Sequence, residues 1–214
     1  MNSYVVIGLG RFGAEMAAKL YACGEEVLAV DLDEQLVDKI ADRVTRAVAA
    51  DARDRDVLEK LGVENFDRAV VAVGSDLAAS ALITMNLKAL GISYIICKAH
   101  DDTYREILEK LGADRVIIPE WEVADKLALG MTHAGVMEYI ELSEEFGIVE
   151  LQPRDSWIGK TISALELRSR YGANVIALRR GDAISIPPDI DTPLDDSSAL
   201  VILGSYETID KLKK

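Results

Sequence analysis

The run Tyr4-Val5-Val6-Ile7-Gly8-Leu9-Gly10-Arg11-Phe12-Gly13 constrains this chain more than any other stretch. A short apolar segment breaks into glycines and then opens a helical pattern, with apolar residues at helical spacing from Ala14 to Tyr21. Gly8, Gly10 and Gly13 fit G-x-G-x-x-G. In that motif the first glycine permits a tight turn, the second lets backbone approach a pyrophosphate, and the third lets helix and strand pack closely. The helix that follows offers free N–H groups and a partial positive charge to phosphates. Val27-Leu28-Ala29-Val30 reads as a second strand ending in Asp31, roughly 20 residues past the glycines, where an acidic residue commonly holds a ribose diol. This context points to a dinucleotide or nucleotide cleft. The alternative is a glycine-rich βα turn with no ligand.

Strands and helices alternate through the first half. Strands are expected at Tyr4–Gly8, Val27–Asp31, Thr45–Ala49, Ala69–Val73, Tyr94–Cys97 and Val116–Ile118. Helices are expected at about Arg11–Cys23, Asp33–Ile40, Asp54–Leu61, Asp76–Leu90 and Asp101–Leu111. Strands joined by such helices through right-handed crossovers give an α/β fold, a Rossmann-like doubly wound parallel sheet. The segment Val57-Leu58-Glu59-Lys60-Leu61-Gly62-Val63 recurs as Ile107-Leu108-Glu109-Lys110-Leu111-Gly112-Ala113, and the two look like equivalent crossovers of one sheet.

Pro119 ends that sheet, and Glu120 to Met131 reads as a helix with Trp121, Ala124, Leu127, Ala128 and Met131 on one face. That stripe packs on a neighbouring domain or another subunit, or else back on its own sheet. From about Met137 the pattern changes. Strands are expected at Tyr139–Leu142 and Ile148–Leu151 around a turn at Ser143–Gly147. A helix over Thr161–Tyr171 and a strand over Asn174–Leu178 follow. The turn Arg179–Asp182 then leads to a hairpin strand Ala183–Ile186, and Ala199–Leu203 is the last strand before a short helix. The expected domains are residues 1–118, a crossover helix and linker at 119–135, and a smaller α+β domain at 136–214. A domain as small as the last is marginal alone, so dimerisation through it is expected.

The formal charge of −13 argues against nucleic acid or anionic membrane as a partner. No signal peptide is visible after Met1, and no apolar run is long enough to span a bilayer, which points to the cytoplasm. Cys23 and Cys97 read as small core residues and not as a disulfide framework.

Several residues fall where the strands of such a sheet end. Asp51 follows the third strand and can accept from an adenine amino group, or cap the next helix in competition with Asp54. Gly74, Ser75 and Asp76 follow the fourth strand, and Lys98 and His100 the fifth. Lys98 can meet a terminal phosphate as a point charge, or simply end a strand in water. Arg11, inside the glycine loop, tilts the ligand toward one whose β- or γ-phosphate is sensed. Catalytic patterns are missing: no Cys-x-x-Cys, no His-Glu-x-x-His, no G-x-S-x-G and no P-loop lysine occur. Tyr94 and Lys98 have dehydrogenase Tyr-x-x-x-Lys spacing, but on a β-branched strand and not a helix. The reading is binding without turnover. The runner-up is a small NAD(P)-dependent oxidoreductase.

Gly8-Leu9-Gly10-Arg11-Phe12-Gly13, Ala29-Val30-Asp31, Asp51-Ala52 and Leu111 through Glu120 together resemble the regulator-of-potassium-conductance (RCK) proteins, with a TrkA-N-like domain, a crossover helix and a TrkA-C-like domain, as in cytosolic KtrA/TrkA subunits. The resemblance implies ATP, ADP or NAD(H) in the Rossmann cleft. It implies homodimers assembling into an octameric ring on a membrane potassium channel or transporter subunit (KtrB/TrkH-like). Carried over by residue, Gly8, Gly10 and Gly13 cradle the phosphates, Asp31 holds the ribose and Asp51 lies near the adenine, with Phe12, Ala52, Gly74, Ser75 and Lys98 completing the expected cofactor-binding set. Arg11 would sense the terminal phosphate across the dimer. Glu120 matches a carboxylate that helps hold a divalent cation, Mg²⁺ or Ca²⁺, near the phosphates; it also suits a helix N-terminus by charge alone. Ile162, Arg168, Asn174 and Pro187 stand where a cyclic di-AMP site at a dimer interface would be.

Overall fold

The computed structural model describes residues 2–132, 136–143 and 145–213. His133, one of the two histidines, lies outside them. The chain divides into two compact units, Met1–Glu122 and Val123–Lys214, and the division falls within one helix.

The first unit contains strands β1 (Ser3–Ile7), β2 (Glu26–Asp31), β3 (Arg46–Ala49), β4 (Arg68–Val71), β5 (Tyr94–Lys98) and β6 (Arg115–Ile117). They form a parallel sheet in the order β3-β2-β1-β4-β5-β6, the doubly wound order with its switch point between β1 and β4. Helices α1 (Arg11–Ala22), α2 (Glu34–Ile40), α3 (Arg55–Leu61), α4 (Leu77–Ala89) and α5 (Asp102–Lys110) connect the strands, and α6 spans Pro119–Thr132. Both sheet faces are covered, which explains the near-continuous apolar strands. Period-two alternation sends Val5 and Ile7 to one face, where they meet Leu58, Ile83, Leu87 and Leu108 of α3, α4 and α5. Val6 points the other way, toward Ala17, Val37 and Ile40 of α1 and α2. The repeated segment places Leu58 and Leu108 in one core, each fully buried, a contribution of about 1.5–3 kcal/mol apiece. Its two copies then diverge: a 3-10 turn, Val63–Asn65, precedes β4, whereas Ala113 leads almost directly into β6.

Local chemistry sets the helix starts. Asp33, Asp54, Asp76 and Asp101 each accept a hydrogen bond from a first-turn N–H of α2, α3, α4 and α5. Asp54 therefore holds the capping role that Asp51 was weighed for. Pro119 does more than end the sheet: it opens α6, where its missing N–H costs nothing.

The second unit is an antiparallel sheet in the order β10-β9-β11-β8-β7. Its strands are β7 (Val136–Glu141), β8 (Phe146–Leu151), β9 (Asn174–Arg180), β10 (Ala183–Ser185) and β11 (Ser198–Ser205). Val149, Leu151, Leu178, Leu200 and Ile202 pack against Trp157, Leu165, Leu167, Ile209 and Leu212. The last two belong to α9 (Tyr206–Lys213).

Four expectations are corrected here. The single helix over Thr161–Tyr171 is two short ones, α7 (Ile162–Leu165) and α8 (Leu167–Tyr171), broken at Glu166 with φ 48°. Leu165 and Leu167 both reach the core, and residues two apart on an unbroken helix point to different sides. The turn before β8 closes early, because the Ser143 hydroxyl accepts from the N–H groups of Glu145 and Phe146, so Phe146 and Gly147 belong to the strand. Likewise Arg179 and Arg180 are strand residues: Arg179 pairs with Glu150, and Arg180 donates to the Pro193 carbonyl at 2.8 Å. Finally, Cys23 is exposed, while Cys97 is buried as expected.

Candidate functional site

A cleft of about 260 Å³ opens at the carboxyl ends of β1, β2, β3 and β4. Gly8 and Gly10, Asp31 and Leu32, Ala50 to Arg53, and Ser75 and Asp76 line it, with Ala79 and Ile83 of α4 behind.

The three glycines separate by what surrounds them. Gly8 has φ +93°, and a Cβ there would lie 2.9 Å from the Ala72 carbonyl carbon. At Gly13 a Cβ would lie 1.8 Å from the Gly8 carbonyl oxygen, so only glycine lets α1 pack on the turn. Gly10 is different. Its φ is −61°, and a Cβ would meet nothing within 4 Å. The protein's own packing does not require glycine there, so the open approach to this backbone is free for a ligand. Gly10 stands at the N-cap of α1, no side chain caps that helix, and no acidic residue occupies its first turn. Its N–H groups and dipole are thus left for an anion.

Asp31 is tied into the same loop. Its Oδ2 accepts the Leu9 N–H at 2.5 Å and its Oδ1 accepts the Asp33 N–H at 2.9 Å. An ionised carboxylate offers about four acceptor positions, so about two remain, enough for the two hydroxyls of a ribose.

Asp51 carries a partner that the sequence reading missed. Arg53 Nε donates to Oδ1 at 2.8 Å and Nη2 to Oδ2 at 2.7 Å, while the Arg53 N–H donates to Oδ1 at 3.0 Å. The Arg53 side-chain hydrogen bonds hold the Asp51 carboxyl below its ordinary range. The signal was present as Asp-x-Arg, since an Asx turn brings residue i+2 back to the carboxylate. Ala52 is buried beneath.

Lys98 ends β5 and donates to Glu120 Oε1 at 2.8 Å. Its ammonium lies 6.0 Å from the centre of the Phe12 ring, and its stem passes Gly74, where a Cβ would come within 3.2 Å of Lys98 Cγ. The Lys98 hydrogen bond keeps the Glu120 carboxyl below its ordinary range. Phosphate group and cation ligand, expected separately, thus stand as one ion pair. Among the described residues no three His, Cys, Asp or Glu side chains converge, so a cation at Glu120 needs phosphate or water oxygens as further ligands. Arg11 is exposed at the first position of α1.

In the second unit, Ile162 is buried in the core, Arg168 is exposed on α8, Asn174 begins β9 and Pro187 lies on the exposed loop after β10.

Comparison with known proteins decides the family. The TrkA-N domain model matches residues 4–119 and the TrkA-C domain model residues 147–214. The chain belongs to the TrkA/RCK family of potassium-uptake proteins. This TrkA/RCK chain is 37% identical over 213 residues to Ktr system potassium uptake protein C of Bacillus subtilis (strain 168), covering 100% of this chain and 96% of that protein. It is 38% identical over 212 residues to Ktr system potassium uptake protein A of the same organism, covering 99% and 96%. Among solved structures, the GsuK channel bound to NAD shares the fold, with a TM-score of 0.68, 19% identity and coverage of 99% of this chain and 39% of that one. The TrkA/RCK chain therefore spans well under half of that channel. Its Ktr relatives are potassium-uptake proteins, and with them it is a non-enzymatic member of the family; the small dehydrogenase reading is set aside. Tyr94 and Lys98 do share strand β5. No helix among the described residues is long and apolar enough to cross a membrane.

Proposed function

We propose that this chain is the cytosolic regulatory subunit of a potassium-transport system. It holds ATP, ADP or NAD(H) in the cleft and passes the ligand's identity to a membrane channel or transporter subunit. The observation that carries this is Gly10: open space at an uncapped helix start, flanked by Asp31 with acceptor capacity to spare. The family shown by the Ktr relatives supplies the transport context.

In this reading Arg11 and Glu120 distinguish di- from triphosphate, Lys98 meets the terminal phosphate as a point charge, and Mg²⁺ or Ca²⁺ would join Glu120 to the phosphates. A homodimer, assembled into an octameric ring, is the state in which Arg11 serves a neighbouring cleft. Exposed Trp121 and Leu127 on α6 suit burial against another copy. Cyclic di-AMP is the proposed second ligand, at Ile162, Arg168, Asn174 and Pro187. Only a difference in affinity between two ring shapes moves a gate, and about 1–3 kcal/mol per site is an ordinary coupling.

Isothermal titration of the full chain with ATP, ADP and NADH tests the ligand. Potassium flux through vesicles holding the membrane partner, with and without this chain and each nucleotide, tests the function. Flux that ignores the chain under every ligand would refute the reading.

A further inference from the structure

We propose that Arg53 sets the base preference of the cleft, by holding Asp51 so that it presents a single fixed acceptor to an exocyclic amino group. The proposal rests on the nucleotide reading above and names the specificity of that site.

The sheet order places the parts. β1, β2 and β3 are successive neighbours, and their ends carry the glycine loop, Asp31 and Asp51 in turn. Neighbouring strands lie about 4.8 Å apart, so Asp51 stands roughly 10 Å across the sheet from the loop. A nucleotide with its phosphates at Gly10 and its ribose at Asp31 brings its base to the end of β3. The residues there are Leu32, Asp51 and Arg53 on the cleft wall.

Acceptor counting then fixes what Asp51 can recognise. Of about four acceptor positions on the carboxylate, the Arg53 N–H, Nε and Nη2 occupy three. One remains, on Oδ2, and the planar guanidinium fixes its direction. Arg53 itself is anchored, since Asn86 Nδ2 donates to its carbonyl at 2.9 Å. A fixed anionic acceptor favours a base with an amino group at the edge it faces, such as adenine. It repels one with a carbonyl there, such as hypoxanthine or guanine. With Arg53 removed, the carboxylate turns freely and offers acceptors in several directions, so water serves as well as the base.

The test is titration of the full chain with ATP and with ITP, which differ in replacing the amino group by a carbonyl. Wild type is expected to bind ATP at least about tenfold more tightly. In Arg53→Gln the ratio is expected to fall to about threefold or less, with the thermal melt retained. Asp51→Asn, whose amide both donates and accepts, is expected to flatten the ratio equally. Equal binding of ATP and ITP by wild type would overturn the proposal while leaving the nucleotide reading intact. So would an unchanged ratio in Arg53→Gln. Recovery of the wild-type ratio in Arg53→Lys would show that charge alone suffices and would overturn the positioning claim. Binding of neither nucleotide by wild type would remove both.

Discussion

Lys98 reaches across 22 residues of sequence to donate to Glu120 at 2.8 Å, joining the end of β5 to the first turn of α6. The pair lowers the Glu120 pKa, chiefly through the Lys98 hydrogen bond. A depressed carboxylate stabilises the fold above its unfolded pKa, and that stabilisation is lost as pH falls through the folded pKa. The Glu120 side chain is 64% exposed, so screening keeps the contribution below about 1 kcal/mol. Glu120→Gln is therefore expected to lower the melting temperature slightly at neutral pH. The difference from wild type should shrink once pH falls below the unfolded glutamate pKa of about 4.3 and vanish only below the lowered folded pKa. Thermal melts across that range check it.

The glycine loop predicts a split between two similar substitutions. Gly13→Ala forces a Cβ to 1.8 Å from the Gly8 carbonyl oxygen and should destabilise by more than about 2 kcal/mol. Gly10→Ala meets open space and should cost less than about 1 kcal/mol. Urea denaturation of both variants reads the difference directly.

In the second unit, Glu150 on β8 is buried against Arg179 on β9, across the intervening β11. Arg179→Ala leaves that carboxylate buried without its cation, a loss of about 3 kcal/mol. Replacing both residues together, Glu150→Leu with Arg179→Met, should recover most of it. A double-mutant cycle by chemical denaturation is the check.

Burial pushes the Cys97 thiol up to about 11, and Thr84 Oγ1 lies 3.2 Å from its sulfur. Cys23 is exposed. A thiol reagent at neutral pH should modify one cysteine per native chain quickly, with the second reacting only on denaturation. Cys23→Ser should abolish the fast phase.

What the sequence revealed and what it hid follow from the range of the interactions. The glycine spacing, the acidic end of β2 and the Asp caps are local, so the sheet and its helices were legible residue by residue. The break at Glu166 was not, because a non-glycine residue at positive φ gives no compositional warning; the buried pair Leu165 and Leu167 was the only clue. Lys98 and Glu120 were each singled out, but their pairing depends on how β5 and α6 meet in space. Arg53 was overlooked because a charged residue in a βα loop is ordinarily a solvated one. Cys23, flanked by Ala22 and Gly24, had the look of a packed residue, yet it sits at the end of α1 on the surface.

The measurement closest to the central claim is titration of ATP into wild type and Gly10→Leu, with thermal melts of both. The account predicts saturable binding near one nucleotide per chain for wild type. For Gly10→Leu it predicts a nearly unchanged melt and affinity reduced by at least about tenfold, because the side chain fills the space left for phosphate. Equal ATP binding by the two proteins, or none by wild type, would contradict it.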